Sequence, residues 1–402
     1  MELTMHEKRK IEILQLVMSR QTTLEKAALA LCCTERTVWR MLHRLREKGL
    51  EGIAHGNKRR PNARRIPEPV KTAVLDAVRG KYHDINDSHL TELLAKHEGI
   101  RLGRETLRSI LRKASIEPKC RRRRPKYRSR RPRKEAFGMM LQVDASIHDW
   151  LEGRGPYMTL VGAIDDATGY AWARFCKSES TWGYLELMEE VCLSHGVPLS
   201  LYSDRHTIFH SPREQTVLEQ LKDIRPLTQL GRAVDDLGVE IIKAWSPQAK
   251  GRIERLWRTF QDRLIVELRL GAISTMQEAN AFLGGFLHEH NLRYCIAAES
   301  RTSVFRPSPP REKLQRTLCL KDRRTVNNDH TISFQGLTLQ IPHSKHFYSL
   351  AKRKVDVLQL KDGSIEICSQ KRVVAHFSPP SVTRLAHTAL PSKTELKLME
   401  VF

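Results

Sequence analysis

The first fifty residues carry apolar side chains at helical spacing and predict three short helices. Thr22 and Glu25 form a capping-box pattern before the second predicted helix. Thr34 precedes the third predicted helix, whose apolar positions are Val38, Leu42 and Leu45. We expect a helix-turn-helix domain over residues 1–55, with an ordinary three-helix bundle as the alternative.

Basic and polar residues occupy the opposite face of the third predicted helix. They are Arg36, Thr37, Arg40 and Arg44. In a helix-turn-helix protein this face enters the major groove of duplex DNA and meets its phosphates. These four residues are therefore candidates for DNA binding, whereas in a plain bundle they would form a solvated basic face.

Three more helical stretches follow within residues 66–116. The last of them has an apolar stripe formed by Leu107, Ile110 and Leu111. Around that stripe stand Arg112 and three candidate DNA-binding residues, Arg104, Thr106 and Arg108. The pattern predicts a second helix-turn-helix-like domain, which would let one chain contact a site longer than one major-groove turn.

From residue 137 the pattern changes to strands and helices. Three consecutive strands, a helix, a fourth strand, further helices, a short fifth strand and a long helix follow one another. This order predicts a central α/β domain with a mixed sheet over residues 137–305. Short alternating runs over residues 320–378, with an Asp362-Gly363 turn, predict a small C-terminal β-barrel or sheet. Residues 379–402 are expected to form a loosely attached tail, so the chain is multidomain.

The charge balance indicates a polyanionic partner, with nucleic acid as the leading candidate. The chain has 69 Lys and Arg against 46 Asp and Glu, a formal net charge of +23. Ribosomal and membrane-surface proteins share this balance, so charge alone discriminates poorly.

A basic linker is predicted over residues 117–136. Eleven Lys or Arg fall within residues 117–134, among them Arg121, Arg122, Arg123 and Arg124. Prolines prevent a continuous helix in this segment, so we expect an extended chain that lies along DNA phosphates. A solvated spacer would have the same composition.

Neither a membrane span nor a disulfide framework is predicted. No apolar run approaches the ~18 to 20 residues that a spanning helix needs, so we expect no membrane association and a location in the cytoplasm. The eight Cys include no CxxC pair, which fits reduced thiols. His288, His290 and Cys295 form the one cluster to consider, but they lack a fourth zinc ligand, and a structural role is favoured.

Three acidic residues stand where an α/β sheet places its chemistry. Asp144 interrupts an apolar strand, Asp204 ends another strand, and Glu254 lies early on the long helix. Carboxylates are ligands that Mg²⁺ prefers, and a two-metal site stabilises the attacking and leaving oxygens of a displacement at phosphorus. Taken singly, the aspartates are also ordinary turn or cap residues, and Glu254 is an ordinary helical ion-pair partner.

Other charged residues near these acids have two interpretations. Lys250, Arg252 and Arg258 either clamp the scissile phosphate or flanking DNA, or form surface ion pairs. Asp165 and Asp166 compete as acids of the site, but their place before Ala167-Thr168-Gly169 favours a turn.

Four segments resemble the catalytic core of bacterial insertion-sequence transposases of the retroviral integrase superfamily, most closely the ISNCY group. They are LQVDAS, AIDDATGYAWARF, LYSDRHTIF and GRAVDDLGVEIIKAWSPQAKGRIERLWRTFQDRL. The resemblance covers nearly the whole chain, and SPQAKGRIER is its most specific part. Lys250 stands where many relatives carry Asn. The gap between the last two acids is longer than in retroviral integrases, which the helical excess at 211–226 accounts for.

The resemblance implies an RNase H-like core of the DDE type that cleaves and joins the ends of an insertion element. Asp144, Asp204 and Glu254 match the three catalytic acids, which in that family bind metal. The implied cofactor is Mg²⁺ or Mn²⁺, two ions per active site. The implied partners are double-stranded DNA, as terminal inverted repeats and target, and further copies of the chain in a homo-oligomer at the bacterial nucleoid.

Two other functions are compatible with the same sequence. One is a catalytically inactive, sequence-specific DNA-binding regulator derived from a transposase, and the other is a nuclease that cuts without joining. All three predict salt-dependent DNA binding. Strand transfer is predicted for the transposase alone.

Overall fold

The computed structural model describes residues 4–53, 65–119, 131–221, 226–244, 250–343, 349–370 and 372–378. Arginines 121–124 of the predicted linker, residues 245–249 of the SPQAKGRIER region and the predicted tail at 379–402 lie outside the described residues. The chain divides into two compact units, Met1–Val78 and Arg79–Phe402, and each is described by itself.

Helices form the first unit, and the three predicted within the first fifty residues are confirmed. They are α1 (Met5–Met18), α2 (Leu24–Ala30) and α3 (Glu35–Lys48), and α4 (Glu68–Gly80) begins in this unit. Helices α1, α2 and α3 share a core that contains Ile11, Leu14, Ala27, Ala28, Val38, Leu42 and Ile53. Because these apolar residues lie on inward faces, the basic face of α3 is left exposed.

The caps of these helices differ in detail from the prediction. Thr23, not Thr22, caps α2, and its hydroxyl accepts a hydrogen bond from the Lys26 N–H at 3.3 Å. Thr34 is the N-cap of α3, but its hydroxyl lies 2.9 Å from that of Thr37. In the T-T-L sequence both threonines suit a cap, and the start of the helix decides which one acts. Gly49 ends α3 with a φ of 59°, as its sequence position predicts.

A five-stranded mixed sheet forms the centre of the second unit. Its strands are β1 (Leu141–His148), β2 (Met158–Asp165), β3 (Ala171–Cys176), β4 (Ser200–Ser203) and β5 (Glu240–Lys243). The strand order is β3-β2-β1-β4-β5. Strand β2 pairs antiparallel with both β1 and β3, whereas β4 pairs in parallel with both β1 and β5. The predicted mixed α/β sheet is therefore confirmed.

Helices cover both faces of this sheet, so each face has its own apolar core. The helices of the second unit's central part are α7 (Thr181–Ser194), α8 (Val217–Leu221), α9 (Gln229–Asp236), α10 (Gly251–Leu270), α11 (Met276–Tyr294) and α12 (Arg311–Thr317). One core joins Leu141, Val143, Leu187, Leu201 and Ala233 with their neighbours. The other joins Leu160, Phe175, Trp257, Phe260 and Leu283 with theirs. Alternate residues of β1 therefore face opposite layers.

The C-terminal strands form a second sheet and a hairpin. They are β6 (Leu320–Thr325), β7 (Thr331–Phe334), β8 (Leu337–Gln340), β9 (Lys354–Gln359), β10 (Ile365–Ser369) and β11 (Arg372–Phe377). Four of them pair in the order β11-β10-β9-β6, and β7 pairs with β8. The run TISFQGLTLQIP thus contains two strands, because Gln335 and Gly336 both adopt positive φ and make a two-residue turn.

Two further helices of the second unit are α5 (Asp87–His97) and α6 (Arg104–Lys113). Charged side chains attach α5 and the segment just before it to α10. Arg263 on α10 binds both carboxylate oxygens of Glu92 at 2.6 and 3.0 Å. Arg269 binds both carboxylate oxygens of Asp84 at 2.8 and 2.9 Å. Since the two-pronged contact of Arg263 with Glu92 is directional, it holds α5 in one orientation against α10.

None of the helices in the described part of the chain combines the length and apolar character needed to cross a membrane.

Replacing Glu92 with Ala should destabilise the second unit. Burial raises the pKa of this carboxyl, but Arg263 and Arg293 outweigh burial and hold the pKa below its ordinary value. The substitution leaves both guanidinium groups without their counterion, so we expect the free energy of unfolding to fall by about 1 to 3 kcal/mol. Urea denaturation measures this change, with the exposed Glu105→Ala as the matched control.

The effect of Glu92→Ala should depend on pH. A carboxyl whose folded pKa is lowered stabilises the fold above its unfolded pKa, and this stabilisation is lost as pH falls through the folded pKa. The free energies of unfolding of wild type and variant should therefore differ at neutral pH and converge in acid. A difference that persists undiminished below both pKa values would contradict the ion-pair explanation.

Candidate active site

Asp144 and Asp204 lie level with each other on neighbouring parallel strands. The register pairs Gln142 of β1 with Tyr202 of β4, and each aspartate lies two residues further along its strand direction. Asp204 follows directly after the last residue of β4. Parallel pairing therefore brings together two acids that are far apart in sequence.

Lys250 joins the two aspartates. Its ammonium nitrogen lies 2.8 Å from Asp144 Oδ1 and 3.5 Å from Asp204 Oδ2. The Lys250 side chain is only 9% exposed, whereas that of Asp204 is 47% exposed. A buried ammonium is stable only when it is paired, so the two carboxylates act together as its counterion.

Glu254 lies on the same face of α10 as the residues that contact Asp144. It is four residues after Lys250 and three before Trp257, and residues at these spacings lie on one face of a helix. Its side chain is exposed, and it makes no ion pair within the described residues. No group of three His, Cys, Asp or Glu that could hold a metal ion occurs in that part of the chain. The structure thus brings Asp144 and Asp204 together and leaves Glu254 at their border.

The start of α10 is held by a side chain of β1. Ile253 is in the first turn of α10, where a backbone N–H has no partner within the helix. That N–H donates to Gln142 Oε1 at 3.3 Å. Gln142 is fully buried. A strand side chain therefore caps the helix that carries Glu254.

Trp257 extends the same attachment one turn further. Its indole N–H donates to Asp144 Oδ2 at 3.1 Å. The ring lies against Gly162, the β2 residue opposite Asp144, where an added Cβ would stand 2.6 Å from Trp257 Cη2. Glycine at this position allows the indole to approach the strand.

A third contact completes this attachment, because Gln261 Nε2 donates to Ser146 Oγ at 3.1 Å. We call the whole interface the polar seam. Its members on β1 are Gln142, Asp144 and Ser146, and its members on α10 and at its N-cap are Lys250, Ile253, Trp257 and Gln261. Alternate residues of one strand thus hydrogen-bond along one helix face.

Asp166 is the centre of a buried ionic cluster next to the polar seam. Its carboxylate is fully buried and contacts Arg131 and, at 3.1 Å, Arg252. It also accepts hydrogen bonds from Gln142 Nε2 at 2.8 Å and from the Lys134 N–H at 2.9 Å. The cluster therefore connects the end of the predicted basic linker to β1 and to the start of α10.

The neighbouring Asp165 has a different role, which matches the turn that the sequence predicts. Its carboxylate accepts from the Thr168 N–H and hydroxyl, both at 2.8 Å, and from the Gly138 N–H at 3.0 Å. Burial raises the pKa of this carboxyl. Both aspartates lie at the predicted turn after β2, and Asp166 in addition pairs with Arg131 and Arg252.

The predicted linker is attached at both ends to the surroundings of α10. Lys119 Nζ lies 3.1 Å from Asp262 Oδ1, near the middle of that helix. Arg131 contacts Asp166 beside the start of the same helix. The residues between these two points, 120–130, are outside the described part of the chain.

The remaining candidate DNA-binding residues lie mostly on exposed surfaces. Side chains on α3, α6 and α10 that are exposed are Arg36, Thr37, Arg40, Arg44, Arg104, Thr106, Arg108 and Arg258. By contrast, Arg252 is occupied by Asp166, and Arg112 is occupied by Asp87 at 2.6 Å. His290 packs among Phe260, Phe286 and Tyr294. Burial lowers the His290 pKa to about 4, which keeps this ring neutral.

Sequence reasoning missed Gln142, Ser146 and Trp257. A signal for the first two is present in LQVDAS, where polar residues alternate with apolar ones inside a strand that is otherwise apolar. Such alternation indicates a strand face that meets polar partners. Trp257 carries no comparable signal, because a tryptophan at helical spacing is usually a core residue.

Replacing Asp166 with Asn should strongly destabilise the second unit. The change leaves Arg131 and Arg252 without their buried counterion, and breaking a buried pair in this way costs about 3 to 5 kcal/mol. Chemical denaturation checks this, with Asp236→Asn as the control because the Asp236 side chain, which pairs with Arg232, is 48% exposed. The control should cost less than about 1 kcal/mol. Equal losses in the two variants would mean that the cluster is not the source of stability.

Comparison with known proteins gives one family model and two relatives that this chain is similar to. A family model described as "Winged helix-turn helix" matches residues 10–71. The transposase for insertion sequence IS1202 of Streptococcus pneumoniae is 32% identical over 397 residues, covering 90% of this chain and 84% of that protein. The provisionally named transposase y4bF of Sinorhizobium fredii is 34% identical over 387 residues, covering 95% and 82%.

Among solved structures, the chain matches an intasome of simian T-cell lymphotropic virus in complex with the PP2A regulatory subunit B56 gamma. The identity is 14%, the coverage is 75% of this chain and 99% of that chain, and the TM-score is 0.34. A similarity this low adds nothing to the fold described above. The two sequence relatives, both more than 30% identical over most of their length, show that the chain belongs to the family of insertion-sequence transposases.

Proposed function

We propose that the chain is a DDE-type transposase of the ISNCY-like group, with Asp144, Asp204 and Glu254 as its catalytic, metal-binding acids. The observation that carries this proposal is the convergence of Asp144 and Asp204 on one ammonium group. Two acids from separate strands that share one cation form a site with affinity for positive charge. Glu254 borders that site on the helix that the polar seam attaches to β1.

The donor set fits a divalent cation of the Mg²⁺ type. Mg²⁺ prefers carboxylate oxygens in small number and keeps several water ligands. Asp144 and Asp204 supply such oxygens at the place where the Lys250 ammonium now stands. When bound, Mg²⁺ or Mn²⁺ would supply Lewis-acid stabilisation of charge on the phosphoryl oxygens, and we propose two ions per site.

The proposed reaction is a pair of displacements at phosphorus. In the first, a water oxygen forms a bond to phosphorus, and the bond to the 3′-oxygen breaks at the end of the element. In the second, the freed 3′-hydroxyl oxygen bonds to a target phosphorus, and a target phosphodiester bond breaks. The chain's own contribution is positioning, since the polar seam fixes the acid-bearing helix relative to β1. Arg258, exposed on the same helix, is suited to bind a phosphate.

DNA binding is divided among the predicted domains. We propose that residues 1–55 and 66–116 bind the terminal inverted repeats and that residues 117–136 follow the DNA backbone. Residues 137–305 form the catalytic core, residues 320–378 a small β domain and residues 379–402 a tail. Because two element ends must be joined to one target, the active form is a homo-oligomer.

Strand transfer is the test that separates this proposal from its rivals. Purified protein is incubated with Mg²⁺ or Mn²⁺, a labelled duplex of the element's end and a target plasmid. Asp144→Asn and Glu254→Gln should each lower joined product by at least about a thousandfold, as expected when transition-state charge loses its stabilisation. Both variants should bind the duplex as wild type does. Glu240→Gln, an exposed acid on β5, is the matched control and should retain activity.

Each result has a distinct meaning. Binding without cleavage by wild type would support the inactive regulator, and cleavage without joining would support the nuclease. Joining by Asp144→Asn or Glu254→Gln would show that the acids are misassigned even though the activity is right.

Replacing Lys250 with Met should strengthen metal binding. The substitution keeps the length of the side chain and removes the cation that now neutralises Asp144 and Asp204. Two adjacent carboxylates without a counterion repel each other, so they bind a divalent ion more tightly. We expect the Kd for that ion to fall by at least about tenfold. Mn²⁺ titration followed by electron paramagnetic resonance measures the Kd without DNA. Lys243→Met on β5 is the control, and equal affinities for all three proteins would contradict the proposed metal site.

A further inference from the structure

Trp39 is an exposed tryptophan on the outer side of α3. Its side chain is 58% exposed. The other tryptophans within the described residues, Trp150, Trp172, Trp182 and Trp257, are buried or half-buried. An indole is among the largest apolar groups of a protein, and one that stands in water on a helix surface often marks a binding surface.

The helix that carries Trp39 holds it in a defined place. Val38 and Leu42 are buried in the core of the first unit, and Trp39 lies about 100° and about 60° from them around the helix, at the border between the buried and exposed faces of α3. The Trp39 ring lies 5.6 Å from the ring of His43, one turn further along the helix. The indole is therefore presented by a rigid element and not by a loop.

Positive charge lies on one side of this indole. Arg36, three residues before Trp39, is its neighbour on the helix surface, and Arg40 and Arg44 continue the basic face beyond it. All three are exposed, and none of them has an ion-pair partner in the described part of the chain. A basic face with an aromatic group at its border complements a polyanion that also offers an apolar contact. Duplex DNA is such a partner, and the winged helix-turn helix match spans this helix.

We propose that Trp39 determines sequence specificity by contacting the C5-methyl group of one thymine in the major groove. The inference rests on the proposed binding of duplex DNA by this unit. Among the groups that base pairs present in the major groove, the thymine methyl is the apolar one, whereas the others are hydrogen-bond donors or acceptors. The flanking arginines contact phosphates, which fixes the register of the helix but carries no sequence information.

The experiment uses the full chain and a duplex that it selects itself from a random-sequence pool. Each thymine of the selected duplex is then replaced in turn by uracil, which removes the methyl group and keeps every hydrogen-bonding atom. For wild type, uracil at one position should lower the affinity about fourfold, as expected for the loss of one buried carbon group. For Trp39→Ala, affinity for the thymine duplex should fall by at least about tenfold, as expected for a lost aromatic contact. The uracil effect at that position should then disappear.

Two matched variants control for nonspecific effects. Leu29 on α2 is 73% exposed, and Leu29→Ala should leave both the affinity and the uracil effect unchanged. Arg40→Ala should weaken binding to all duplexes and reduce the slope of log affinity against log salt by roughly one phosphate contact. Trp39→Ala should leave that slope unchanged, since the indole neutralises no phosphate.

The outcomes separate the inference from the proposed function. If no duplex is selected, DNA binding by the chain fails, and with it the role of Trp39. If a duplex is selected but no uracil position is sensitive, or if the sensitivity persists in Trp39→Ala, the inference about Trp39 is wrong while DNA binding stands. A wedge between base pairs would give that second pattern, because stacking does not need the methyl group.

Discussion

The interface between β1 and α10 is the contact on which the candidate site depends. Strand residues that would normally be apolar are here Gln142, Asp144 and Ser146, and each is matched by a partner on α10 or its N-cap. Buried polar groups are costly when unpaired, so a slip of the helix by one residue would leave several of them unsatisfied. Apolar packing alone tolerates small shifts much better. Polar matching therefore determines where Glu254 stands relative to the sheet.

Charge inside this very basic protein is arranged around a few acids. Asp166 balances two arginines, and Asp144 with Asp204 balances Lys250. Buried ion pairs contribute little net stability compared with well-packed apolar residues, but they impose one geometry. The arginines of α3 have no ion-pair partner among the described residues, so their charge is available to a partner. The basic side chains of this protein thus include some that are paired with buried acids and others that remain exposed on α3.

Local structure was predictable from the sequence where a periodic pattern of apolar residues extended over many positions. The helices α1, α3, α7 and α10 and the strands of the central sheet follow from spacing of apolar residues, which is a local property. The hairpin at Gln335-Gly336 was missed because the run on either side alternates without interruption. The role of Asp166 was also missed, since its partners Arg131 and Arg252 are 35 and 86 positions away in sequence. Contacts across such distances depend on the packed fold and leave no pattern within a window of sequence.

The two anchor points of the basic linker should respond differently to salt. The side chains of Lys119 and Asp262 are 30% and 32% exposed, whereas the Asp166 carboxylate that holds Arg131 is fully buried. Dissolved ions screen exposed charges more strongly than buried ones. Rising ionic strength would therefore release the linker at Lys119 before it releases the linker at Arg131. The salt concentration thus determines whether one end or both ends of the linker are held beside α10.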